Sequence, residues 1–416
     1  MYKLIPGTRD ILPQEALLWQ RMEAACRSVF SLYNYHEIRT PVVEEMSLFN
    51  RSLGETTEIV RKQMFVINNK DDNYVLRPEG TAAIVRAYIE NNMDKAGGLV
   101  KLYYMGPMFR LERPQKGRQR QFHHIGCEAI GSSDAGLDVE VVSLADALLK
   151  NLSISGYIIN LNNLGCAADK EELALRLRRK IKDLLPKLCA DCNQRYDSNV
   201  MRILDCKNPD CKTALEHLDL DESHLCAGCR KHFSAVKTGL DSLKIAYALA
   251  PHLVRGLDYY TGTVFEITHS GLGAQDALGA GGRYDNLVKQ LGGPATGSIG
   301  FAFGVERLIL AGCGLKPAEN KITSYIISLG DNARSSALKL LDTLRRNGIS
   351  ADTDYESKSL KGALRKANDY GAKFVLIIGD DELKKNTVML KDMESGEQRE
   401  VKVEDVVQEL GKDLVT

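Results

Sequence analysis

Residues 99–130 read LVKLYYMGPMFRLERPQKGRQRQFHHIGCEAI. Leu99–Phe109 and Gln121–Ile130 are rich in aliphatic and aromatic β-formers, and the stretch between them is dense in charge. This pattern predicts a long antiparallel hairpin with a charged tip. Arg110, Arg113, Lys116, Arg118 and Arg120 stand at the tip against one acid, Glu112. A solvated basic loop has the same composition. Arg110 and Arg118 fall on facing strands, however. Two guanidinium forks so placed can bracket a phosphate bidentately, which lysine cannot do. Phe122, at the start of the return strand, can stack on a base.

The chain around the hairpin reads as follows. A helix is expected over Ala16–Tyr33, with Leu17, Met22, Ala25 and Val29 at helical spacing. His36–Val43 reads as a strand broken at Pro41, where proline suits a strand end or an edge. Tyr74–Leu76 is a short strand leading through Arg77-Pro-Glu-Gly-Thr81 into a helix. Val139–Leu152 is a helix and Tyr157–Asn162 a strand. From about Asp169 charged helix and cysteine-rich loops take over, which suggests an insertion between two pieces of one β-rich domain. Gly279–Asp285 reads as a glycine-rich turn, and GSIGFAF (297–303) as a strand running into a helix. After residues 315–320 strands and helices alternate, which predicts a separate α/β domain with a largely parallel sheet. The expected boundaries are 1–168 and 239–318 for the β-rich domain, 169–238 for the insertion and 322–416 for the last domain.

The 416 residues suffice for roughly two to four domains. The chain is 44% hydrophobic and 26% charged, as in soluble globular proteins. No apolar run reaches about 18 residues, so no membrane span is expected. MYKLIPGTRDILPQE lacks the pattern of a secretory signal, and the expected location is the cytoplasm. Lys+Arg and Asp+Glu are both 55, so any nucleic-acid site must be a local patch.

A second stretch, VRGLDYYTGTVFE (254–266), strings a cation, two phenols and a closing glutamate on glycines and β-formers. It suits a small substrate with a carboxylate and a ring bearing hydrogen-bonding nitrogens. A third, Gly304-Val-Glu-Arg307, puts an arginine at a strand-to-helix junction, where phosphate is already favoured.

Pro41 in its strand ending, Arg110–Phe122 and Gly304–Arg307 resemble, in order and spacing, the three signature motifs of class II aminoacyl-tRNA synthetases. Arg77–Thr81, Arg255–Glu266 and Gly281-Gly-Arg-Tyr-Asp285 resemble segments specific to the histidyl-tRNA synthetase family. The resemblance runs from Pro6–Asp10 into the C-terminal domain. It implies an α+β fold: an antiparallel-sheet catalytic domain with a small cysteine-rich insertion, and a C-terminal α/β anticodon-binding domain. It also implies ATP with Mg2+, L-histidine and its tRNA as ligands, and a homodimer.

Carried over position by position, the resemblance implies that Glu79 and Thr81 hold the substrate ammonium. Glu128 and Tyr260 would take the two imidazole nitrogens. Arg255 would stabilise charge between the histidine carboxylate and the α-phosphate, which Arg110 would grip. Phe122 and Arg307 would sandwich adenine, Glu112 would accept from its amino group, and Arg118 would meet the outer phosphates. His124 departs from the pattern, since the family usually has glutamine there. It is kept as a histidine-binding candidate. Tyr259 and Asp258 read as scaffold, Glu266 as either a structural partner or part of the site, Arg283–Asp285 as shaping the pocket, and His123 as facing away from it.

Six of ten cysteines fall between 189 and 229. Cys189-x-x-Cys192 and Cys226-x-x-Cys229 have the spacing of tetrahedral zinc knuckles, and these four are the expected ligands. Cys206 and Cys211 add two thiols, with His224 and His232 nearby. Reduced thiols in a metal-free insertion are the alternative. A different function also competes. A paralogous family keeps this fold as a regulatory subunit of ATP phosphoribosyltransferase that senses histidine. It generally lacks the C-terminal domain and erodes the phosphate-binding arginines, which are present here.

Overall fold

The predicted hairpin forms. Val100–Phe109 and Gln121–Ile130 pair antiparallel from Val100 opposite Ile130 to Phe109 opposite Gln121. The base of the return strand, Ile125–Ile130, is buried, while Gln121–His124 is only half-buried, so the charged end opens outward. The computed structural model describes residues 2–54, 57–69, 72–114, 117–273, 276–315, 321–356 and 359–412. Lys116 and most of the linker at 315–320 lie outside them.

Among the described residues the hairpin belongs to an eight-stranded sheet. In spatial order its strands are His36–Glu37, Val100–Phe109, Gln121–Ile130, Ser298–Gly304, Ala277–Arg283, Thr261–His269, Tyr157–Asn163 and Ala248–Leu249. The interior pairings are antiparallel, and the two short edge strands pair parallel. The strand read over 36–43 is thus only two residues at the sheet edge. A second short strand, Val43–Glu45, joins Phe65–Asn69 and Asp72–Leu76 in a small antiparallel sheet.

One correction concerns Ala277–Arg283, a strand and not a turn. Its glycines are there for close approach. A Cβ on Gly281 would lie 2.3 Å from the Gly300 carbonyl oxygen on the neighbouring strand.

Helices cover one face of the sheet. Pro13–Leu32 buries Trp19, Met22, Cys26, Val29 and Phe30 at three- and four-residue steps. Ala135–Asn151 buries Leu137, Val141, Leu144 and Leu148 in the same core. Helix Ala227–Ser242 crosses it closely: a Cβ on Gly239 would stand 2.5 Å from Val139 Cγ2. Its Phe233, Val236 and Leu240 join this main core. The preceding cysteine-rich segment has a small core of its own, including Leu173, Leu177, Ile181, Ile203 and Leu215.

The chain divides into two compact units, Met1–Lys316 and Pro317–Thr416. The second has a five-stranded sheet among its described residues, ordered Ala351–Thr353, Ser324–Ser328, Phe374–Ile378, Thr387–Asp392 and Gln398–Lys402. The first three strands are parallel and the last two antiparallel, so the sheet is mixed. The connection from 392 to 398, with Gly396 at φ 78°, is too short for a crossover and permits only a hairpin. Helix Asp331–Arg346 turns Ala337, Leu341 and Leu344 inward, as their spacing predicts. No helix among the described residues is long and apolar enough to cross a membrane.

Candidate active site

Every residue assigned above to histidine or ATP lines one cleft of about 1120 Å3 in the first unit. The cleft lies over the sheet from the hairpin across Ser298–Gly304 and Ala277–Arg283 to Thr261–His269.

Its deepest polar group is Glu128, buried on the return strand. Thr81 Oγ1 donates to its Oε1 at 2.7 Å and the Tyr284 hydroxyl to its Oε2 at 2.6 Å. Burial pushes Glu128 up to about 8, opposed by the Tyr284 and Thr81 hydroxyls and assisted by the charge of Glu79. Glycines make room for it: a Cβ on Gly300 would fall 1.9 Å from Glu128 Oε2. Glu79 accepts the Thr81 and Ala82 amides at 2.7 and 2.8 Å. It thereby caps helix Thr81–Glu90 with a carboxylate at the positive end of the helix dipole.

Tyr260 is buried, 4.7 Å from Tyr259 between ring centroids. Burial drives its hydroxyl up to about 12, against the pull of Arg255, so it keeps its proton and can donate. Arg255 makes a short ion pair with Glu266, and its buried Nε has no hydrogen-bond partner among the described residues. The Glu266 charge in turn acts on Arg307. The VRGLDYY stretch therefore connects the Glu128–Tyr260 end of the cleft with the arginines at the other.

At that end Arg110 Nε donates to the Pro78 carbonyl at 2.9 Å, and its guanidinium lies 5.3 Å from the Phe122 ring centre. Arg118 pairs with Glu112 at 3.0 Å. Arg307 donates to the carbonyls of Gly117, at 3.2 Å, and of Ala277. His124 is half-buried among these cations. Burial first, then the charges of Arg110 and Arg77, hold it down at about 3, so its ring is neutral at neutral pH. Its buried Nδ1 has no partner among the described residues. Strand alternation sends His123 the other way, onto Glu306 at 2.9 Å and the edge of Trp19.

Scaffold roles sort similarly. Asp258 accepts from Asn199 at 3.1 Å and Arg202 at 3.3 Å. Arg283 is buried in an ion pair with Asp138 at 2.7 Å, and His232 meets the other Asp138 oxygen at 2.8 Å. Tyr284, expected to shape the pocket, lines the cleft, and its hydrogen bond to Glu128 is what the sequence did not show. One neighbour escaped the sequence reading. Arg202 carries no local signal.

The cysteines do not group as their spacing suggests. The sulfurs of Cys189, Cys192, Cys206 and Cys211 lie within 4.8 Å of one another, whereas Cys226 and Cys229 sit with Cys166 and Asp169. The expected set Cys189, Cys192, Cys226, Cys229 does not form. Cys226 caps the helix that packs on the main core, and its amide donates to Asp169 at 2.9 Å. Cys189 and Cys192 belong to the smaller core.

Residues 7–308 match the family model for histidyl-tRNA synthetase, and 323–413 that for an anticodon binding domain. The chain belongs to the histidyl-tRNA synthetase family. It is 44% identical over 409 residues to a histidine–tRNA ligase of Thermodesulfovibrio yellowstonii, covering 98% of this chain and 97% of that one. A histidine–tRNA ligase of Thermosipho melanesiensis is 45% identical over 412 residues, 98% of each chain. The structure of apo S. aureus histidyl-tRNA synthetase superposes with a TM-score of 0.81 at 36% identity, covering 99% of this chain and 100% of that one. An ATP phosphoribosyltransferase regulatory subunit/histidyl-tRNA synthetase from Bacillus halodurans shares the fold, with a TM-score of 0.67 at 23% identity over 91% of this chain and 98% of that one. The histidine–tRNA ligase relatives and the apo structure thus span both units.

Proposed function

We propose that the chain activates histidine with ATP, releasing pyrophosphate, and then transfers the histidyl group to the 3′ end of its tRNA. The observation that carries this reading is the single cleft in which buried acids and phenols adjoin three arginines, with Arg255 between the two groups.

On this reading Glu128 and Tyr260 engage the two imidazole nitrogens. A site built on two buried polar partners rejects analogues lacking them by roughly 10⁴ or more. Glu79 and Thr81 receive the ammonium, and His124 offers a neutral donor–acceptor pair beside it. Phe122 and Arg307 sandwich adenine, and Glu112 turns from Arg118 to the adenine amino group. Arg118 is thereby released to the outer phosphates. The histidine carboxylate is already ionised and needs no base. Arg110 and Arg255 align it on the α-phosphorus and stabilise the charge that accumulates there.

Mg2+ takes oxygen ligands; carried on the phosphate oxygens of ATP, it would shield the triphosphate and the departing pyrophosphate. A structural zinc in the cysteine-rich segment would hold the fold and take no part in the bond-making steps. A homodimer, cytoplasmic location and the domain limits 1–168, 169–238, 239–318 and 322–416 belong to the same reading. ATP–pyrophosphate exchange with each amino acid separately tests it. Exchange with histidine alone is expected. No exchange, with histidine still bound, would sink it in favour of a histidine sensor.

A further inference from the structure

We propose that Cys189, Cys192, Cys206 and Cys211 form a closed tetrathiolate zinc site that fixes the cysteine-rich segment onto the histidine end of the active site. The four sulfurs converge from three separate pieces of chain: the start of Ala190–Ser198, the end of the turn Val200–Asp205, and Pro209–Leu215. None is disulfide-bonded. The Cys189 and Cys206 sulfurs are 3.9 Å apart. A tetrahedral zinc with bonds of about 2.3 Å sets its sulfurs about 3.8 Å apart. The Cys189 amide donates to the Cys211 sulfur at 3.1 Å, and a thiolate accepts such a bond far better than a thiol.

Ordinary packing explains the cluster less well. Cys192, Cys206 and Cys211 are buried in a core flanked by elements of nine, six and seven residues. Elements so short gain little from their own helical bonds and need a staple. The second group, Cys166, Asp169, Cys226 and Cys229, differs. Both Asp169 oxygens already accept backbone amides, from Cys166 at 3.2 Å and Cys226 at 2.9 Å, and its thiols are more exposed.

The consequence for catalysis lies between the ligands. The chain from Cys192 to Cys206 carries Asn199 and Arg202. Both hold the Asp258 carboxylate, and Arg202 also donates to the Gly256 carbonyl at 2.9 Å. Those contacts bracket the loop between Arg255 and Tyr260. One ion binding both ends of 192–206 closes that loop and sets the two side chains that aim the substrate contacts.

This inference rests on the proposed reaction only in its last step, and metal content reads it independently. Full-length protein, reduced and loaded with Zn2+, is expected to retain one zinc per chain after desalting. Loaded with Co2+, it should show thiolate charge-transfer bands and the visible bands of a tetrahedral ion. Cys206→Ser and Cys211→Ser should lose the retained metal, and Cys226→Ser and Cys229→Ser should keep it. Chelation from the full chain should raise KM for histidine in the exchange reaction by about tenfold to a hundredfold, the scale of a misplaced contact, with KM for ATP little changed. Wild-type protein that retains no metal and gives no cobalt bands would overturn the site, as would loss of metal from Cys226→Ser but not Cys206→Ser. An unchanged KM for histidine after chelation would overturn its coupling to the active site. A zinc-loaded chain with no exchange would sink the reaction and leave the metal site standing.

Discussion

Arg255 is held by Glu266, so truncating it leaves that carboxylate half-buried beside the cleft. Arg255→Ala is expected to slow pyrophosphate exchange by about 10² to 10³-fold, the usual cost of removing one charge-stabilising donor. KM for ATP should move only a few-fold, because Arg110, Arg118 and Arg307 still face the nucleotide. Equal losses in both parameters would contradict a role confined to the transition state. Glu128 makes a prediction in pH. At acid pH, near its ordinary value of 4.5, folded and unfolded chains both hold the proton. Between there and about 8 only the folded chain holds it, so this group's contribution to stability falls as pH rises. Above that range the loss is complete. Thermal melts of unliganded protein should therefore show wild type falling by a few kcal/mol relative to Glu128→Gln between about pH 5 and about pH 9. Parallel pH profiles would show that the carboxyl is ionised throughout.

At the scale of elements, the cleft exists because neighbouring strands approach with no side chains between them. Gly281 and Gly300 let the strands 277–283 and 298–304 close up, and Gly300 leaves the volume that the Glu128 carboxylate occupies. Gly300→Ala puts a methyl group 1.9 Å from Glu128 Oε2. It is expected to cost about 1–3 kcal/mol of stability, as overpacking does. Histidine-dependent exchange should fall far more than that stability loss alone would cause. Retained exchange with an unchanged KM for histidine would mean that Glu128 is free to leave its place. The hairpin was legible as an element because two long β-forming runs flank a short charged segment. The glycine strand was misread as a turn. Three glycines within four residues, Gly279, Gly281 and Gly282, look like a turn locally, and only the facing backbone carbonyls reveal that they are needed for close approach.

At the scale of the molecule, the two units have separate cores, the second built on Leu340, Leu344, Phe374, Leu376 and Val388. Removal of residues 321–416 is therefore expected to leave a folded first unit that still exchanges pyrophosphate with histidine. Its charging of tRNA should fall by about 10² or more in kcat/KM, the loss of a whole binding module. Full charging by the truncated chain would show that the second unit contributes nothing to tRNA recognition.

What the sequence determined by itself was local or carried by pattern. Strand and helix periods marked the hairpin, the core-facing sides of the helices and the alternation of the second unit. The motif residues marked the two halves of the cleft, because arginine forks, acids and phenols advertise the ligands they suit. Tertiary structure alone decided which residues meet. Tyr284 reaches Glu128 across 156 positions, Arg202 reaches Asp258 across 56, and each CxxC pair finds its partners elsewhere in the chain instead of in the other pair. A buried polar group must be matched by whatever partner the fold brings near, and that partner can come from anywhere in the chain. Sequence spacing can therefore propose a ligand set, but convergence in the packed core selects it.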